Sequence, residues 1–316
     1  MHFRPLIAAW TILVAGGGVA LAQFKRPEPE GARAGPAETT RWRCGMIVQA
    51  VGGPCVGLVG YVPVPVDWPE QQVTVLDEEI SRSARVSYTM VDGTVRVMVV
   101  RIPRLAAGQT ARALVTFEVA RRAILAPADT DRYVLPDLRK LHVATRRYLG
   151  ESPKIESNHR KIEALAREIG ADEARAWARV EAIYDWVRDN VEYKNGPLKG
   201  ALAALQDGVG DCEELTSLFI AICRAADIPA RTVWVPGHCY PEFYLEDEKG
   251  EGHWFPCQAA GTRAFGEMPE TRPILQKGDS FRPPWNRRAR MRYLAEHLEG
   301  AGGRPRVRFV RETVGQ

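Results

Sequence analysis

The junction Gly210-Asp211-Cys212-Glu213-Glu214 leads into an apolar-periodic run, Leu215, Leu218, Phe219 and Ile222, and predicts a buried helix with a cysteine in its first turn. Gly208 and Gly210 give a flexible approach, and Asp211 is a good N-cap. At such a position the unpaired N–H groups and the positive end of the helix dipole favour a thiolate over a thiol. The same N–H groups can hold an oxyanion. Ile228-Pro229 forbids continuation of the helix, after which Arg231 to Val235 reads as a strand. Pro236-Gly237 turns the chain into a second strand beginning at His238. The polar run 246–252 reads as a hairpin loop, and a return strand covers 254–258. Paired as a hairpin, these strands bring His238 and Gln258 to one end. The expected catalytic set is Cys212 as nucleophile, His238 as base and Gln258 as orienting group.

The blocks that carry this set are Tyr184 to Tyr193, GDCEE at 210–214, IPAR at 228–231, HCYPEFY at 238–244 and WFPCQ at 254–258. Together, over roughly 155–270, they resemble the transglutaminase-like superfamily, the circularly permuted relatives of papain-type cysteine proteases. The resemblance implies an α+β fold, with helices packed on an antiparallel sheet. It also implies a Cys-His-Asp triad for acyl transfer on glutamine or peptide carbonyls. Gln258 stands where the family usually carries aspartate. An amide oxygen accepts the ring N–H and fixes the tautomer, but it offers no charge to an imidazolium. Tyr193 and Gln206 are candidates for further oxyanion donors, the alternative for Tyr193 being packing at the end of an amphipathic helix.

The N-terminus has a basic start with Arg4, an apolar stretch from Leu6 to Leu21 and a small-x-small signal at Ala20-Leu21-Ala22, which together predict an export signal over 1–22. The expected location is therefore periplasmic, cell-envelope or extracellular. In an oxidising compartment, Cys44 with Cys55 and Cys239 with Cys257 are the expected disulfides, while Cys223 reads as buried. A zinc site built from Cys212, His238, Cys239 and Cys257 lacks CxxC or HxxxH spacing, so no metal and no cofactor are expected.

Residues 23–41 read as a flexible linker, and 42–125 as a β-sandwich-like domain with runs at 46–51, 56–66, 72–76, 84–90, 94–102 and 111–119. Residues 126–275 form the expected transglutaminase-like core with a helical lead-in. Its lead-in helices are predicted over 136–149 and 154–169, with a longer one capped by Asp172 and carrying Trp177, Val180, Ile183, Tyr184 and Val187. The remaining 276–316 read as a basic extension with a short helix at 293–298.

The formal net charge of +4 becomes +3 without Arg4, too small to imply nucleic-acid binding. The arginines between Arg282 and Arg311 suggest contact with cell-envelope polymer or a membrane surface. The reading is an exported cysteine acyl-transfer enzyme acting on protein or peptide, hydrolysing peptide or amide bonds through a thioester. Its alternatives are a protein-glutamine transglutaminase and a non-catalytic binding or assembly module.

Overall fold

The computed structural model describes residues 31–315, so the export signal and residues 23–30 of the expected linker lie outside the described residues. Residue 33 already belongs to a strand. β1 (Arg33–Val64) is followed by β2 (Gln71–Ile80), β3 (Arg85–Val91), β4 (Val95–Leu105) and β5 (Thr110–Leu125). Residues 33–41 of the expected linker are therefore the first part of β1, where Arg41 pairs with Glu118 and Trp42 with Phe117. β1 is one continuous strand where the sequence suggested two. Its first half pairs with β5 and its second half with β4, so these two strands succeed one another along one edge.

The lead-in is shorter than expected. α1 (Val143–Arg146) and a 3-10 turn at 147–149 replace the helix over 136–149, and α2 (Arg160–Glu168) begins well after Lys154. Lys154 itself adopts φ 70°, which no helix tolerates, and the side chain of His159 caps α2 by accepting from Lys161 N at 3.2 Å. α3 (Ala176–Asn190) starts behind the extended Arg175, so Asp172 is not its cap. The expected apolar stripe of α3 is buried as read: Trp177, Val180, Ile183, Tyr184 and Val187 all belong to the main core cluster.

Next come β6 (Glu192–Tyr193), α4 (Ala201–Asp207), β7 (Val209–Gly210), α5 (Cys212–Ala225), β8 (Ala230–Val235), β9 (His238–Glu246) and β10 (Gly252–Pro256). β11 (Gln276–Lys277) and β12 (His297–Val314) complete the chain. Strands β10-β9-β8-β11 form an antiparallel sheet of 4 strands, and α5 packs against β8 and β9. Phe243 of β9 stacks on Phe265 with ring centroids 5.1 Å apart, and Trp177 meets Phe243, Phe255 and Phe265 edge-on. This aromatic core locks α3 against the sheet.

The expected basic extension is structural. β11 pairs with β8, and β12 runs along the second edge of β1 from Arg41↔Val314 to Tyr61↔His297. The ladder has bulges between Val51 and Cys55 and between Val56 and Val59, which bend the ribbon. Both halves of β1, with β4 and β5, enclose a single apolar core. The helix expected at 293–298 is absent. The backbone N–H and C=O of Leu294 are taken instead by the side chain of Gln276, at 2.9 and 2.7 Å, and the chain passes straight into β12.

Neither expected disulfide is present, and all six cysteines are free. Cys44 lies between Val115 and Arg311 in the ladders, and Cys55 between Leu105 and Gly302, so neither faces the other across a strand pair. Cys257 N donates to Pro241 O at 3.0 Å, which sets Cys257 opposite Pro241 and only diagonal to Cys239. Diagonal neighbours sit about 7–8 Å apart, against the roughly 3.5–4.5 Å between Cβ atoms that a disulfide needs.

Candidate active site

α5 begins at Cys212, and its start is held from three directions. The extended Asp211 accepts from Glu213 N at 2.7 Å, while Glu214 returns a carboxylate oxygen to Asp211 N at 3.2 Å. This reciprocal cap satisfies two of the donors that a helix start leaves open. The other oxygen of Glu214 accepts from Lys199 N at 2.9 Å, pinning the preceding loop to α5. Burial pushes the Glu214 carboxyl up, but the amide bonds from Lys199, Asp211 and Gly200 prevail and hold its pKa below the ordinary value. Gly210 is required here, since a Cβ at this position would lie 2.4 Å from the Glu214 Cβ.

His238 opens β9 directly after Gly237, whose φ of 70° makes the tight turn from β8. Its Nε2 lies 3.0 Å from Gln258 Oε1. A side-chain amide oxygen only accepts, so Nε2 carries a proton and Nδ1 is left for the Cys212 thiol, to which the ring is hydrogen-bonded. Gln258 is itself clamped by α3. Its backbone carbonyl accepts from Tyr184 Oη and Arg188 Nη1, both at 2.9 Å, and its backbone N–H donates to Ala264 O at 2.8 Å. Tyr184 and Arg188 thus fix the position of Gln258. Their i, i+4 spacing puts both on one helix face.

Cys239 is the larger surprise. It lies fully buried beside His238, and its thiol donates to the Cys212 carbonyl at 3.6 Å. Turned to the Cys212 sulfur instead, this single S–H, with the Cys239 backbone N–H, is the largest influence bringing the Cys212 pKa down to about 4. Burial opposes this, and the hydrogen bond and charge of His238 assist it. Burial works to lower the His238 pKa as well, but the bonds to Cys212 and Gln258 outweigh it and the value is raised. The Cys239 thiol is pushed far up by donating to Cys212 and by burial, so it stays protonated. These influences favour a thiolate on Cys212 and a proton on His238.

Tyr193 lines the same cleft, and its hydroxyl donates to Asn195 Oδ1 at 3.2 Å. Gln206 lies on the exposed side of α4 and outside the cleft lining, which corrects its expected place near the oxyanion. The cleft has a volume of about 800 Å³. Cys212, His238, Tyr193 and Leu198 lie along it, and its far wall comes from Trp42 of β1, Arg311 of β12 and the segment carrying Arg292 and Tyr293. Gln258→Ala is expected to slow thiol alkylation at pH 6 by about ten- to a hundredfold, the equivalent of one hydrogen bond to a charged group. Stopped-flow iodoacetamide labelling reads this directly.

Residues 163–259, which run from α2 to just past Gln258, match the transglutaminase-like superfamily model. A candidate cysteine protease from Cytophaga hutchinsonii has a similar fold, with a TM-score of 0.58 at 18% identity, covering 90% of this chain and 93% of that one. The periplasmic domain of TgpA from Pseudomonas aeruginosa aligns with a TM-score of 0.33 at 16% identity, over 68% of this chain and 89% of that one. No curated protein matches the chain. No helix among the described residues is long and apolar enough to cross a membrane.

Proposed function

We propose that the transglutaminase-like core of this chain is an exported cysteine hydrolase that cleaves peptide or amide bonds through a thioester on Cys212. The observation that carries this reading is the His238 ring, held at Nε2 by Gln258 at 3.0 Å with its other nitrogen turned to a Cys212 thiol whose pKa is brought down to about 4. In the resting pair the proton of Cys212 already sits on His238. The thiolate attacks the carbonyl carbon, and the electron pair of the C=O bond moves onto oxygen. Cys212 is the first residue of α5, so its N–H has no intrahelical acceptor and is free to donate to that oxyanion. As the oxyanion collapses, the C–N bond breaks and His238 gives its proton to the departing amine. Water, deprotonated by His238, then attacks the thioester and releases acid and thiolate.

A neutral amide suffices as the third residue because the imidazolium is already balanced by the adjacent thiolate. The open cleft of about 800 Å³ suits an extended peptide and leaves water access to the thioester. The test uses p-nitrophenyl acetate on the chain lacking residues 1–22. Mass spectrometry is expected to find acetyl on Cys212, and the adduct should decay to acetate even with a primary amine at millimolar concentration. An adduct that turns over only into the amide of that amine would mark a transamidating enzyme, and no adduct would remove the enzyme.

A further inference from the structure

The cleft beside Cys212 is walled by the chain's own C-terminal strand, and the charges on that wall are unequally committed. Four ionisable side chains besides Cys212, His238 and the tyrosines line it: Asp211, Glu213, Arg292 and Arg311. Three of them are occupied. Asp211 caps α5. Glu213 is paired with Arg292 at 2.8 Å, and Arg292, buried, also reaches Ser217 Oγ at 3.3 Å and lies over the Trp234 ring at 5.1 Å. Arg272, near the rim, is spent on Glu270 and on Pro236 O at 2.7 Å.

Arg311 differs. Its Nε meets the buried carboxylate of Glu296 at 3.1 Å, and it hydrogen-bonds the Tyr293 hydroxyl, while its side chain stays 51% exposed. A guanidinium has five N–H donors in a planar fork, so these two contacts leave further donors on a side chain that is half exposed. Arg311 stands on β12 opposite Cys44, and Trp42, Tyr293 and Trp234 make flat apolar walls in the same cleft. An oriented, half-exposed arginine between aromatic surfaces is built to accept a planar anion in two-point fashion.

We propose that Arg311 is a specificity-determining residue that selects substrates carrying a carboxylate close to the carbonyl attacked by Cys212, so that the enzyme prefers acidic peptides. This rests on the acyl-transfer reading of Cys212. The carboxylate can come from an acidic side chain or from a chain terminus, and the two are separable.

Three reagents carry the same iodoacetyl group on glutamic acid and differ only in amidation: the α-amide with a free side-chain carboxyl, the glutamine form with a free α-carboxyl, and the fully amidated neutral form. In each, the Cys212 thiolate displaces iodide. One of the two acids is expected to alkylate the wild-type protein about tenfold faster than the neutral reagent, a preference that shrinks with added salt. Whichever acid is favoured identifies the source of the carboxylate. Arg311→Gln is expected to erase the ratio, Arg311→Lys to restore part of it and Arg311→Glu to invert it. Because the ratio is taken within each protein, any change in the thiolate itself cancels. Equal rates for all three reagents, or a preference that survives Arg311→Gln, would overturn the assignment. Slow alkylation by the neutral reagent at pH 6 would instead overturn the acyl-transfer reading on which it rests.

Discussion

Replacing His238 with alanine is expected to slow acylation of Cys212 by a peptide anilide by about a hundred- to ten-thousandfold, the usual worth of a positioned acid–base residue. The loss should have a characteristic pH dependence. The Cys212 pKa is brought down to about 4 and that of His238 is raised above its ordinary value, so the ion pair exists between those two limits. Below about pH 4 the thiolate takes up a proton, and above the raised imidazole value the ring loses the proton it must deliver. The wild-type acylation rate should therefore be sustained through weakly acidic pH. His238→Ala removes the hydrogen bond and charge that assist the thiolate, so its acid limb should move to higher pH. The thiol bond from Cys239 remains in that variant, so the limb should still fall below that of an ordinary cysteine. Unchanged circular dichroism would show that the loss is chemical.

The largest expected effect on stability lies away from the cleft. Asp279→Ala should destabilise the chain by about 3–5 kcal/mol, the cost of removing one partner of a buried ion pair. Arg224 near the end of α5 is fully buried, and its Nη2 lies 2.9 and 2.8 Å from the two oxygens of Asp279. Asp279 also accepts from Ser152 Oγ at 2.6 Å and from Thr232 N at 3.2 Å. The substitution leaves the Arg224 guanidinium without its counter-charge in the interior. Urea unfolding followed by tryptophan fluorescence measures the change. A loss below about 0.5 kcal/mol, typical of a surface position, would mean that residues after 275 are the dispensable extension their composition suggests.

The parts of this molecule legible in its sequence are those encoded locally. The Asp211 cap, the Ile228-Pro229 stop and the Pro236-Gly237 turn each depend on neighbours a few residues away, and together they set Cys212 and His238 on their elements. Gln258 was legible through hairpin register alone. What was hidden depended on distant partners. Nothing in 297–314, with its glycines and alternating arginines, announces that its partner is β1, and that pairing turns a basic tail into one wall of the cleft. The helical pattern at 293–298 lost to two hydrogen bonds from Gln276, a residue that no local rule connects to Leu294. Cys239, on a hairpin strand, invites a disulfide with Cys257. The diagonal register denies it, and the position next to His238 gives its thiol to Cys212 instead.

The most direct measurement is the rate of iodoacetamide labelling at Cys212 across pH 3 to 10, in the wild-type chain and in His238→Ala. A thiolate paired with an imidazolium should label at a sustained rate down to about pH 4, and the limb should shift upward in the variant. A single ordinary thiol titration near pH 8.5, identical in both proteins, would contradict the ion pair and with it the acyl-transfer site.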